Sequence, residues 1–96
     1  MEVLVAYDVA TDDAAGRRRL HRVAKACEGS GQRVQKSVFE CVLSEAELAR
    51  LEGRLGRLID PSRDSLRIYR LREPRSSFTR VFGVDVAHDI RDPLVL

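Results

Sequence analysis

The period of the apolar positions changes along the chain, and each change marks an element. Val3-Leu4-Val5-Ala6-Tyr7 is a short continuous apolar run, rich in β-branched and aromatic residues, that ends in Asp8. That length and content predict a strand buried on both faces. Next, Leu20, Val23, Ala24 and Cys27 fall at i, i+3, i+4 and i+7, which predicts an amphipathic helix over 16–27. Asp12 or Asp13 caps its start, and Gly29-Ser30-Gly31 stops it. From Arg33 to Leu43 the chain reads as strand, but the phase shifts: Val34 and Val38 are even-numbered, whereas Phe39, Cys41 and Leu43 are odd. A half-buried strand cannot change phase without a bulge or a reversal. Two short strands reversing near 36–38 suit the rest of the chain better than one bulged strand.

Ser44-Glu45-Ala46-Glu47 is a capping box that opens a second helix. Leu48, Leu51, Leu55 and Leu58 form its apolar face; Arg50, Glu52, Arg54 and Arg57 face water. Asp60-Pro61 ends it, and the turn-rich stretch to Asp64 leads into a strand, Ser65 to Leu71, whose arginines alternate with apolar residues. Residues 73–77 read as a loop. Phe78 to Val86 reads as a last short strand, broken by Gly83, and the tail from His88 ends in the apolar Leu94-Val95-Leu96. The order strand–helix–strand–strand–helix–strand predicts an α+β, ferredoxin-like βαββαβ domain with an additional C-terminal strand. The surplus strand and tail, about 78–96, are expected to dock on a partner subunit.

Composition narrows the picture. A chain of 96 residues makes one domain, 1–96, whose small core would gain from a second copy, so a homodimer is expected. No apolar run approaches membrane-spanning length, and the N-terminus enters a strand without a basic, apolar leader, so a cytoplasmic location and no membrane partner are expected. Cys27 and Cys41 are isolated from each other and read as two buried, reduced thiols. The net charge is only +2, but fifteen of the seventeen basic residues are Arg, the side chain suited to bidentate contact with phosphate. Arg18, Arg22 and Lys25 share the polar face of the first helix, flanked by Arg17 and Arg19; that face is either solvated or phosphate-contacting.

The chain lacks a Gly-rich phosphate loop, HExxH, GxSxG and paired-Cys zinc motifs, and its two histidines, His21 and His88, lie far apart. Carboxylates remain. Asp8, at the end of a central strand, is either a metal ligand or a turn residue. One carboxylate holds magnesium poorly, but a two-fold axis passing nearby would make it two. A metal held there would activate water for phosphodiester hydrolysis.

Three stretches together resemble a known family. They are Val5-Ala6-Tyr7-Asp8-Val9, then Gln32 to Cys41 with its Arg-Val-Gln-Lys-Ser-Val-Phe-Glu run, then Asp64 to Leu71. In order and spacing they are similar to the small CRISPR-associated adaptation nucleases, the second of the two universal CRISPR adaptation proteins. The ending Asp92-Pro93-Leu94-Val95-Leu96 looks like members that accompany type I-C systems. The resemblance implies a ferredoxin-like homodimer that captures foreign DNA as new spacers together with the partner integrase. It implies a metal-dependent endonuclease, with Mg2+ or Mn2+ as cofactor, acting on single-stranded RNA or double-stranded DNA. By position, Asp8 matches the metal-binding, catalytic acid, and Tyr7, Ser37 and Phe39 match the motif of the cleft. Arg17, Arg18, Arg19, Arg22 and Arg33 are nucleic-acid contacts on the ground of charge. A non-catalytic, DNA-clamping scaffold is the alternative function.

Overall fold

The computed structural model describes residues 1–84. The elements are β1 (Glu2–Asp8), α1 (Ala14–Glu28), β2 (Gly31–Gln35), β3 (Val38–Val42), α2 (Glu45–Leu58) and β4 (Ser65–Leu71). A 3-10 turn follows at Arg75–Ser77. The strands form one antiparallel sheet in the order β2-β3-β1-β4, the ferredoxin-like βαββαβ arrangement. Its central strand, β1, lies between β3 and β4 along its length, with Asp8 opposite Ser65.

Both helices cover the same face of the sheet. Val3, Val5 and Tyr7 of β1, Phe39 and Cys41 of β3, Val23 and Cys27 of α1, and Leu48, Leu51 and Leu55 of α2 share one core. The expectation that β1 is buried on both faces needs correcting: its burial alternates, with Leu4 and Ala6 only half-buried and Asp8 exposed. The physical reason is that this chain supplies helices to one face only. The other face carries Leu4 beside Tyr69, Ala6 beside Val38, and Val42, which is 59% exposed.

The change of apolar phase in the middle of the chain is a reversal at Lys36-Ser37, as expected, and β2 adds a register shift between Arg33 and Gln35. Reversal and bulge together put Phe39 and Cys41 into the core while Val34 sits at the irregularity. The capping box of α2 is present: the Ser44 hydroxyl accepts from Glu47 N at 3.1 Å and Glu47 accepts from Ser44 N at 2.8 Å. At α1 the cap is Asp13, whose carboxylate accepts from Gly16 N at 2.7 Å.

Gly16 is where the first turn of α1 presses on the loop after Asp8. A Cβ there would overlap the Ala10 carbonyl, a backbone group that cannot swing aside. Gly16→Ala is therefore expected to destabilise the fold by about 1–3 kcal/mol, the usual range for forced overpacking. Thermal denaturation checks this; an unchanged Tm would mean that the loop is free to retreat from α1.

Beyond β4 the chain exposes Phe78, Val81, Phe82 and Val84, with Phe82 at 88%. Residues 78–84 pair with no strand among the described residues. The end of the expected last strand and the tail from His88 lie outside the described residues.

Candidate metal and nucleic-acid site

The end of β1 separates two neighbouring side chains by the pleat of the strand. Tyr7 points into the core, 6% exposed, with its ring 6.3 Å from Phe39, centroid to centroid. Its hydroxyl closes no hydrogen bond, and burial, with the Cys27 thiol nearby, raises its pKa above 10.0. Asp8 points to the uncovered face instead. Its carboxylate is exposed and makes no hydrogen bond or ion pair with any described residue. The reversal loop completes this end of the sheet: Tyr7 N donates to Ser37 O at 3.1 Å.

The other acids nearby are engaged. Arg63 pairs with Asp12 and, at 3.0 Å, with Asp13. Asp64 has a fully buried side chain and accepts from Arg19 Nε at 2.9 Å, Ala10 N at 3.1 Å and Asp60 N at 2.8 Å. The Arg19 guanidinium is the main cause that lowers the Asp64 pKa from 3.8 to about 2. This carboxylate braces the loop after Asp8 against the turn before β4. Its role was not visible beforehand, because a turn-rich Asp60–Asp64 stretch reads as solvated loop until α1 is folded beside it.

The five arginines expected to meet phosphate fall into two sets. Arg17, Arg18 and Arg22 are exposed on α1; Arg17 reaches Thr11 O at 3.5 Å, and Arg18 and Arg22 make no hydrogen bond or ion pair with a described residue. Arg19 and Arg33 are committed within the chain. Arg19, 15% exposed, holds Asp64. Arg33 lies over the Phe39 ring at 4.9 Å and holds Glu28 at 3.2 Å and the Lys36 carbonyl. The open basic face is thus narrower than charge alone implies. It also lies on the helical side, whereas Asp8 lies on the bare sheet face.

Among the described residues no group of three or more His, Cys, Asp or Glu side chains could hold a metal ion. One chain therefore offers a hard cation a single free carboxylate at this site, fewer ligands than magnesium sites use. Cys27 and Cys41 are buried and form no disulfide, as expected. Burial, reinforced by the adjacent Cys41 thiol, pushes the Cys27 pKa up to about 12, so it is no thiolate ligand. No helix among the described residues is long and apolar enough to cross a membrane.

The βαββαβ order and the antiparallel β2-β3-β1-β4 sheet define a small ferredoxin-like α+β protein. Residues 1–77 match the family model described as CRISPR associated protein Cas2, and the chain belongs to that family. It is 51% identical over 96 residues to the CRISPR-associated endoribonuclease Cas2 1 of Moorella thermoacetica, covering all of both chains. It is 46% identical over 95 residues to the CRISPR-associated endonuclease Cas2 of Halalkalibacterium halodurans, covering 99% of each. Among solved structures, Streptococcus pyogenes Cas2 at pH 6.5 superposes with a TM-score of 0.79 at 47% identity, covering 86% of this chain and 100% of that one.

Proposed function

We propose that the chain acts as a homodimer in CRISPR adaptation, beside the partner integrase, as a metal-dependent phosphodiesterase. The observation that carries this reading is the free, exposed Asp8 carboxylate at the end of the central strand, on the sheet face that the helices leave bare. Leu4, Ala6, Val38 and Tyr69 make that face half-apolar, the character of a surface that meets a second copy. Stacking two such faces about a two-fold axis brings two Asp8 residues to one cleft. Two carboxylates are what a magnesium or manganese ion takes when substrate phosphate and water complete its shell. An ion held by the Asp8 carboxylates would supply an activated water and neutralise charge on the scissile phosphate. The chain's own part is to hold Asp8 on a rigid strand, with Tyr7 and Phe39 packed behind it and the 36–37 reversal closing the rim. Exposed Arg17, Arg18 and Arg22 position the phosphate backbone. Beyond β4, exposed Phe78, Val81, Phe82 and Val84 offer an apolar stretch for the partner subunit, and the resemblance of the Asp92–Leu96 sequence supports a member of a type I-C system.

A second reading is favoured by the single carboxylate per chain: a non-catalytic dimer that clamps duplex DNA for the integrase. One assay separates the two. Purified protein, shown dimeric by sedimentation, is incubated with labelled duplex DNA and single-stranded RNA, with magnesium and with chelator. Cleavage that stops on chelation and returns with added magnesium is the expected result, and the cleaved strand names the substrate. Binding without cleavage in every lane would leave the scaffold.

A further inference from the structure

The net charge of +2 conceals an uneven surface. On the helical side, Arg18, Arg22 and Lys25 of α1 are exposed at i, i+4 and i+7, and α2 repeats the same spacing with Arg50, Arg54 and Arg57. None of the six makes a hydrogen bond or ion pair with a described residue. Three of the four acids on the two helices have hydrogen-bond or ion-pair partners other than these six. Glu28 holds Arg33 at 3.2 Å, Glu45 holds Arg70 at 3.0 Å, and Glu47 closes its own capping box at 2.8 Å. Glu52 is the one acid of the two helices with no hydrogen bond or ion pair to a described residue. Like charges at i, i+4 oppose helix formation. α2 sets Arg50 against Arg54; Glu47, three residues before Arg50, offsets that row only in part, so an anion from outside the chain would relieve the repulsion that remains.

The α2 row also has shape. Arg50, Arg54 and Arg57 line a groove together with one acid, Glu47, with Gly29 and Ser30 at the end of α1, and with Val42. Gly53, between the arginines, leaves that wall without a side chain.

We propose that the α2 row, Arg50, Arg54 and Arg57, is a second phosphate-binding track, separate from the α1 face, that grips one backbone of a nucleic-acid duplex. This rests on the nucleic-acid reading above and adds residues and a substrate form to it. Two features select the ligand. The exposed large apolar side chains, Val42, Tyr69, Phe78, Val81, Phe82 and Val84, all lie outside the two helices. A protein partner needs an aromatic or aliphatic anchor, which the exposed helical surface does not offer, whereas a phosphate backbone needs only charge. Single strands are held chiefly by stacking on exposed aromatic rings, and neither helix contains a Phe, Tyr or Trp; His21, on α1, lies outside the α2 row. Duplex backbone is what remains. Val42 alone of these apolar residues borders the groove; the others lie on the bare sheet face and the stretch after β4, which are left for protein, and the helical face is left for nucleic acid.

The test measures affinity against salt concentration for a duplex and for one of its strands. It uses the parent protein and the triple variant Arg50→Gln, Arg54→Gln, Arg57→Gln. A matching α1 variant carries Arg18→Gln, Arg22→Gln and Lys25→Gln. Loss of three phosphate contacts reduces the log–log salt slope on duplex by about 2.7, at roughly 0.9 per phosphate. That drop is expected for the α2 variant on duplex, with a smaller one on the single strand. The charge-conserving variant Arg50→Lys, Arg54→Lys, Arg57→Lys keeps the parent slope, which separates lost charge from a damaged helix. An unchanged slope in the α2 Gln variant, beside a reduced one in the α1 variant, overturns the second track, leaves the nucleic-acid reading standing and makes an acidic protein surface the remaining partner. An equal drop on both substrates overturns the duplex assignment. A parent protein that binds neither substrate overturns the track and the reading beneath it together.

Discussion

Replacing Asp8 by Asn is expected to lower magnesium-dependent cleavage by at least about 100-fold, the order lost when a site's hold on its metal is impaired. The same change is expected to leave Tm within about 4 °C of the parent, since exposed substitutions without partners shift stability by about 0.5 kcal/mol or less. The contrast is what identifies a functional carboxylate. A turn-forming or capping aspartate holds backbone N–H groups, as Asp13 and Asp64 do here, and its loss weakens the fold. Asp8 holds nothing among the described residues. Asn keeps its size and removes its charge, so a hard cation loses its anionic ligand while the strand is undisturbed. A large excess of manganese is expected to restore part of the cleavage, because a weakened site can be refilled by mass action. Full cleavage by Asp8→Asn in limiting magnesium would remove the carboxylate from the mechanism. A large fall in Tm would make Asp8 a structural residue instead.

The pattern of apolar residues carried the architecture because helix and strand periods are local. Leu48, Leu51 and Leu55 had to share a face of any helix containing them, and they are buried. The phase break between Val34 and Phe39 had few physical solutions, and the chain uses a reversal plus a bulge. What lay beyond the pattern was pairing between distant segments. Arg19 and Arg33 look like Arg18 and Arg22 in the sequence, yet the first two are held by Asp64 and Glu28 across 45 and 5 positions. Charge announces a basic residue but not the acid that folding will set beside it. The same limit hid the bare face of β1. An uninterrupted run of apolar residues reads as burial on both sides, and the run itself does not say that α1 and α2 will both pack on the same side of the sheet.

Asp64→Ala is expected to cost about 3 kcal/mol, the scale of breaking a buried ion pair by removing one partner, and so to lower Tm by roughly 12–24 °C in a domain of this size. Three parts of the fold meet on that carboxylate: Arg19 from α1, Ala10 N from the loop after Asp8, and Asp60 N from the turn before β4. Removing it leaves a little-exposed guanidinium and two backbone donors without their acceptor. The effect has a pH signature whose sign follows from the depressed pKa. A carboxylate at about 2 when folded, against 3.8 ordinarily, favours the folded state wherever the unfolded chain has it ionised, above about pH 4. That contribution fades as pH falls from about 4 through 2. The difference in stability between the parent and Asp64→Ala is therefore expected to be constant from pH 5 to 8 and to narrow steadily below about pH 4. Denaturant melts across that range measure it, and a gap that stays constant down to pH 2 would show that packing, not charge, makes the brace. Asp64→Asn keeps the shape and an acceptor oxygen but not the charge, so it falls between the two at pH 7. Because Ala10 lies two residues past Asp8, loosening this brace loosens the strand end that presents the candidate ligand. Cleavage by Asp64→Ala, measured well below its own Tm, is accordingly expected to need more magnesium than the parent does, although Asp64 touches neither metal nor substrate.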